Sequence, residues 1–166
     1  MTHRVNPKAI ELDAVAWKIL ESLQENARQT FTELGRKVGL STPAVAERVR
    51  RLEEAGVIKG YHASLDLPRL GMPIRILVRL TIHGDPLQVQ RTVAAVKEMV
   101  EISRCHRITG AESFIIEADV VSIRHMEALI DKLSALGATS TSTVLSSPVE
   151  RRRYRAAQVA GFDVYL

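Results

Sequence analysis

Two sets of side chains in this chain could do chemistry. The first is the adjacent pair Cys105 and His106, a thiol beside a base. As nucleophile and general base they would have to meet, yet they fall in a stretch that reads as a strand, where neighbouring residues point to opposite faces. Catalysis is not expected from them. Cys105, His106 and the distant His125 also lack the spacing of metal ligands, so no metal site is expected. No glycine-rich phosphate loop is present, and an aromatic content of 4% disfavours a base-stacking RNA platform. The second set lies between positions 41 and 54. There Ser41, Thr42 and Ala44 precede a run of charges that includes Glu47, Arg48, Arg50, Arg51 and Glu54. Small residues followed by arginines on one surface suit recognition rather than bond making.

The elements that must position this second set are legible in residues 30–55. Thr30 followed three residues later by Glu33 is a capping box, in which hydroxyl and carboxylate each satisfy a free backbone N–H. A helix starts there. Phe31, Leu34 and Val38 share one face, and Gly39 supplies the left-handed conformation that stops the helix. Leu40 plugs the turn, Ser41 caps a second helix, and Pro43 sits in its first turn, where a missing N–H costs nothing. Val45, Val49 and Leu52 form the inner stripe. Pro43, Ala44, Glu47, Arg50, Arg51 and Glu54 fall on or near the opposite side, with Arg48 at the margin. A short helix, a Gly-containing turn and a second helix make the helix-turn-helix pattern, whose second helix enters the major groove of DNA with its N-terminal end leading. Ser41, Thr42 and Ala44 would permit close approach to base edges. An ordinary helical hairpin with a solvated charged face reads the same way.

Length and composition set the frame. The 166 residues suffice for one ordinary domain or two small ones, and 46% hydrophobic with 25% charged residues is normal for a folded protein. Cys105 is the single cysteine, so no intramolecular disulfide framework exists and a reducing cytoplasm fits best. Residues 1–13 show no apolar run after their basic residues, and no later stretch reaches membrane-spanning length, so neither a signal peptide nor a membrane partner is expected. The formal charge is +4, and its excess lies in residues 1–64 and 148–166. The balanced middle is a poor candidate for gripping phosphate.

Taken in order, residues up to Leu12 read as a loose arm, and Asp13 caps a helix to about Ala27 with Val15, Ile19, Leu20 and Leu23 inward. Trp17 falls off that stripe, either shielded by the arm or touching another subunit. The three helices make one unit, ended by Gly56. Residues 57–66 read as a short strand interrupted at Gly60, and the following Pro and Gly residues mark a linker. From Pro73 the period changes: Ile74, Ile76, Val78, Leu80 and Ile82 alternate with Arg75, Leu77, Arg79, Thr81 and His83. Asp85 and Pro86 start a helix to about Val100. Strands at 101–109 and 113–121 follow, then a helix capped by Ser122 and stopped by Gly137, then a Thr-rich strand at 138–147. Strand, helix, strand, strand, helix, strand is the ferredoxin-like βαββαβ arrangement, with both helices on one sheet face. Leu77 and alternate residues of the neighbouring strands are expected to make the other face apolar enough to pair subunits. The fold class is therefore α+β, divided as a helix-turn-helix domain at 1–56, a hinge strand and linker at 57–72, a ferredoxin-like domain at 73–147 and a tail at 148–166.

Residues 12–66, with ELGRKVGLS and AERVRRLEEAGVIKGY as their strongest pieces, and the later CHRITG segment resemble the Lrp/AsnC family of bacterial and archaeal transcription regulators. The resemblance runs in register from about Leu12 to Leu145. It implies a DNA-binding N-terminal domain, a hinge strand, and a C-terminal domain that dimerises by sheet packing and often assembles dimers into octamers. Effectors of such proteins, commonly amino acids, bind near the dimer–dimer contacts. By that resemblance Ser41, Thr42, Ala44, Glu47, Arg48 and Arg51 lie against double-stranded DNA. The arginines would bond phosphate or guanine, and Glu47 would accept from a cytosine amine or pair with Arg51. The effector site would involve Thr109, Gly110, Ala111, Glu112, Ser113, Thr141 and Thr143. Here the sequence departs from the family pattern, because the usual Asp, aromatic, Asp after the glycine is Ala111, Glu112, Ser113. Glu112 becomes the partner of a ligand ammonium, or the ligand differs, or none binds. No cofactor is expected beyond an amino-acid effector. The function expected is that of a DNA-binding, non-enzymatic cytoplasmic regulator. A ferredoxin-like ligand-binding or enzyme-associated assembly module without DNA binding is the alternative. The tail, with RRRYR before an apolar end, could touch DNA, cover an acidic neighbour, dock on a subunit or remain solvated.

Overall fold

The computed structural model describes residues 12–83 and 86–159. Of these, 12–63 and 149–159 form one unit and 64–148 the other. In the first unit Asp13 accepts the Ala16 amide at 2.7 Å and caps α1 (Ala14–Glu25). The capping box of α2 (Phe31–Val38) is fully formed, with the Thr30 amide donating to Glu33 Oε2 at 2.7 Å and the Glu33 amide to Thr30 Oγ1 at 3.2 Å. Gly39 ends the helix at φ 75°. The Gly35 carbonyl then accepts both the Gly39 amide at 2.8 Å and the Leu40 amide at 3.0 Å. That closure brings the Leu40 carbonyl oxygen within 2.6 Å of where a Cβ on Gly35 would stand, so a side chain there has no room. α3 (Thr42–Glu54) follows, with Pro43 in its first turn.

Ile19, Leu34, Val45, Val49 and Leu52 are the buried centre of this unit, with Ala16 beside them and Leu20, Leu23, Val38 and Leu40 packed around. Phe31, expected on the inner stripe, remains 42% exposed, because Leu34 alone of that stripe reaches the centre. Trp17 is half-buried. Residues 57–66, expected as a short strand, form none. An extended segment becomes a strand only where a neighbour accepts its ladder, and this segment has no such neighbour among the described residues.

The C-terminal stretch, expected as a separate tail, belongs to the first unit. The Gln24 side chain takes the Tyr154 amide at 2.8 Å and donates to the Tyr154 carbonyl at 2.9 Å, an amide using both ends on one residue's backbone. Arg153 lies 3.4 Å from Glu25, and the Ala156 amide 3.4 Å from Glu21. The apolar end that followed, residues 160–166, lies outside the described residues, as do the arm before Leu12 and Asp85.

The second unit has the expected element order: β1 (Ile74–Thr81), α4 (Pro86–Glu98), β2 (Ile102–Arg107), β3 (Phe114–Val120), α5 (Ile123–Ser134) and β4 (Ala138–Thr143). The sheet runs β2-β3-β1-β4 with every pair antiparallel. Ile76, Val78 and Leu80 of β1 and Phe114, Ile116, Ala118 and Val120 of β3 pack against Val96 of α4 and Leu129 and Leu133 of α5. The alternation seen in the sequence is therefore the sheet's two faces. β4 stops at Thr143, opposite Ile76, because β1 begins only two residues earlier. Gly137 sits where a Cβ would meet the Thr81 carbonyl oxygen at 2.4 Å, which lets β4 start hard against the end of β1. α6 (Ala156–Val159) closes the described chain.

Candidate nucleic-acid interface and effector site

The second helix of the helix-turn-helix, α3, carries Ser41 at its cap position with a hydroxyl that makes no cap hydrogen bond. Ser41, Thr42 and Pro43 are exposed, and Ala44 is half-buried. The leading end of the helix is therefore small and open, as close approach to a base edge requires. Thr42 Oγ1 lies 3.3 Å from Thr32 Oγ1, which ties the first turns of α2 and α3 together.

Further along, the charges are engaged with one another. Glu47 takes Arg50 in a forked pair, from Nε at 2.9 Å and from a terminal nitrogen at 2.8 Å, and it also accepts Arg51 Nε at 2.8 Å. The hydrogen bonds from Arg50 and then Arg51 pull its carboxyl down to about 2. Arg50 is held on its other side by Glu54, and its hydrogen bonds to the Glu47 and Glu54 carboxylates raise its pKa. Arg48 turns the other way and meets Asp13 at 2.7 Å, so this arginine fastens α3 to the cap of α1. The Asp13 carboxyl is held below its ordinary value first by the Ala16 amide and then by Arg48. Arg50, outside the residues that the resemblance sets against DNA, is thus part of the same charge cluster. Its signal was present, since Glu47 and Glu54 stand three residues before and four after it.

In the sheet unit, Thr109, Gly110 and Ala111 are exposed in the turn between β2 and β3, with Gly110 at φ 120°. Glu112 points from that turn into an open depression of about 280 Å³ lined by Arg79, Thr81, Ala138, Thr139 and Ser140. Ser113 is used within the sheet: its amide donates to the Leu80 carbonyl at 2.9 Å and its hydroxyl accepts the Ile82 amide at 3.0 Å. Thr141 and Thr143 pair with Val78 and Ile76, which places them on the sheet face that carries the core. Neither lines the depression. The structure thus gathers Glu112 with Arg79 and with the first three residues of β4, Ala138 to Ser140, which precede the threonines singled out from sequence.

The sheet face away from the helices differs from expectation. Leu77 and Ile115 are its apolar residues on β1 and β3, and both are half-buried. Around them stand Arg75 paired to Asp119 at 2.7 Å and Arg104 near Glu117 at 3.6 Å. Asp119 is 7% exposed, so this face holds a nearly buried carboxylate with its guanidinium partner. Alternation guaranteed that one face was not core, and beyond Ile115 the neighbouring strands contribute mostly charge there. Cys105 and His106 pair with Ile116 and Ile115, which belong to opposite faces, and burial pushes the Cys105 thiol up. Among the described residues no group of three His, Cys, Asp or Glu could hold a metal ion, and no helix is long and apolar enough to cross a membrane.

Comparison with known proteins agrees with this geometry. Residues 12–59 match the winged helix-turn-helix DNA-binding model and residues 75–154 the Lrp/AsnC ligand binding domain. The chain is 34% identical over 137 residues to the HTH-type transcriptional regulator LrpC of Bacillus subtilis, covering 82% of this chain and 94% of that one. It is 36% identical over 120 residues to the leucine-responsive regulatory protein of Haemophilus influenzae, covering 72% of each. The solved structure of Bacillus subtilis LrpC superposes with a TM-score of 0.79 at 33% identity over 86% of this chain and 100% of that one. That of the transcriptional regulator NMB0573 in complex with L-Met, from Neisseria meningitidis, does so with 0.84 at 25% identity over 90% and 99%. With the capped helix pair, the four-stranded sheet and these relatives together, the chain belongs to the Lrp/AsnC family of helix-turn-helix transcription regulators.

Proposed function

We propose that α3 reads double-stranded DNA through Ser41, Thr42, Ala44, Glu47 and Arg51, with Arg48 holding the helix in place, and that the sheet unit senses a small amino acid. The observation that carries the DNA reading is the formed helix-turn-helix: a complete capping box, Gly39 at φ 75°, and a second helix whose exposed N-terminal end is small. The oriented amides of that end also suit a phosphate oxygen. A gel shift on the region upstream of the chain's own gene tests it. Binding that prefers that sequence and weakens steeply with salt is expected, and loss of either property in the folded protein would remove the reading.

For the effector, the support is charge complementarity. A free amino acid brings an ammonium and a carboxylate, and the depression offers Glu112 for the first and Arg79 for the second, with Thr81 and Ser140 also lining it. A volume of about 280 Å³ suits a small metabolite. Titration calorimetry against the common amino acids should find at least one that binds. Glu112→Gln and Arg79→Ala should each weaken that ligand by about tenfold or more, because each leaves one ligand charge unpaired. An amino acid that binds both variants as well as the native chain would place the site elsewhere. The family resemblance carried by residues 12–145 implies a homodimer that assembles further, up to an octamer, and we infer the same assembly here, acting in the cytoplasm as a regulator.

A further inference from the structure

Glu47 occupies an unusual position for a helix that binds a polyanion. Its carboxylate accepts three N–H groups from the two arginines on the outer surface of α3, at 2.8 to 2.9 Å, while Glu54 holds Arg50 from the far side. Glu47, Arg50, Arg51 and Glu54 together carry no net charge, so the outer face of α3 presents two arginines without presenting a positive potential. Other cations of the same unit, such as Arg28 and Arg36, are exposed and have no carboxylate within ion-pair distance among the described residues. Attraction to DNA in general is therefore available elsewhere on the unit, and α3 itself is neutralised.

We propose that Glu47 is a specificity-determining residue of this chain, a carboxylate that withholds Arg50 and Arg51 from phosphate and thereby penalises DNA of the wrong sequence. This rests on the reading of α3 as the groove-entering helix. On arbitrary DNA, an arginine that turns to a phosphate leaves the Glu47 carboxylate short of donors and facing like charge. The cost recurs at every sequence that offers the carboxylate nothing. Where a cytosine or adenine amine stands opposite, the carboxylate regains a donor as the arginine leaves, and that cost disappears. Discrimination thus comes from a repulsive element that the right site alone silences. The arrangement also assigns unequal roles to the two arginines. Arg51, with 73% of its side chain exposed and one bond to Glu47, is the readier to leave, whereas Arg50 is held by two carboxylates.

The test compares the full native chain, Glu47→Gln and Glu47→Asp on two probes: a random-sequence 30-base-pair duplex, and a duplex recovered from a random library by selection with the native chain. Glu47→Gln should bind the random duplex on the order of tenfold more tightly at moderate salt, with log K falling more steeply against log salt by about 0.9 for each further phosphate engaged. Its ratio of selected to random affinity should fall. Glu47→Asp keeps the charge and should retain the low random affinity and the shallow slope. If Glu47→Gln matches the native chain in random affinity and salt slope, or shifts both duplexes equally, Glu47 is a helix-stabilising partner only and the proposal is overturned. If the native chain binds neither duplex in a salt-sensitive way, it is the DNA reading of α3 that fails, a result distinct from the previous one.

Discussion

At the scale of single residues, the charged side chains of the reading helix divide by what they are bound to. Glu47 accepts three arginine N–H groups, and its folded pKa, lowered from 4.5 to about 2, reflects those bonds. A depressed carboxyl pKa stabilises the fold fully above the ordinary value and loses that contribution as pH falls towards the folded one, here between about 4.5 and about 2. A carboxyl-carbon NMR titration should therefore find Glu47 still ionised at pH values where free glutamate is protonated. Titration near 4.5 would show that the arginines do not hold it in solution. Arg48 follows a different logic. Bound to the Asp13 carboxylate at 2.7 Å, it links two helices, so Arg48→Ala should loosen the orientation of α3 as well as weaken DNA affinity. The residue types of this surface were legible in the sequence, because helical spacing fixes which side chains share a side. The pairing of Glu47 with Arg51 was legible too, from its four-residue spacing, whereas the partner of Arg48 was not. Arg48 could turn towards DNA or towards Asp13, and only the approach of α1 to α3, thirty-odd residues apart in sequence, decides it.

At the scale of elements, the helix-turn-helix depends on one glycine that composition did not single out. Gly35 lies within α2, where alanine would gain about 1 kcal/mol of helix propensity. A Cβ there would stand 2.6 Å from the Leu40 carbonyl oxygen, and moving that backbone costs about 1–3 kcal/mol, as overpacking generally does. The steric cost wins, so Gly35→Ala should lower the melting temperature of the first unit by several degrees. An unchanged or raised melting point would mean that the turn yields more easily than its geometry suggests. Sequence readily gave the helices, through caps and stripes, and the strands, through alternation, since those signals are local. It misread residues 57–66, because a strand is defined by a partner that the segment itself does not contain. It also left the tail's place open. The tail binds α1 through Gln24, whose amide meets the backbone of Tyr154, a contact that no pattern of side-chain types announces. Removing that contact by Gln24→Leu should speed trypsin cleavage within the Arg151–Arg155 run several-fold, followed by mass spectrometry. Equal rates would indicate that the docked tail opens freely without it.

At the scale of the whole molecule, the chain leaves the first unit near residue 64 and re-enters it near residue 149, so the sheet unit is inserted between two parts of the DNA-reading one. A single helix-turn-helix reads few base pairs, and specificity of the kind a regulator needs comes from pairing two on half-sites one or more helical turns apart. The open sheet face is the surface we propose for that pairing. Its charge argues for selectivity rather than bulk adhesion: Asp119 and Arg75 are already matched within the chain, and Leu77 and Ile115 form a small apolar centre inside a polar surround. Replacing Leu77 by Arg adds a third positive charge beside Arg75 and Arg79 and leaves the helix-facing core of the sheet untouched. Sedimentation at micromolar concentration should then show the mass fall to that of one chain, with thermal unfolding of the sheet unit close to native. Affinity for a duplex carrying two half-sites should drop towards that for one, because the second reading helix no longer arrives tethered to the first. A Leu77→Arg protein that keeps its native mass, folded and bound to both half-sites, would move the pairing surface off this face.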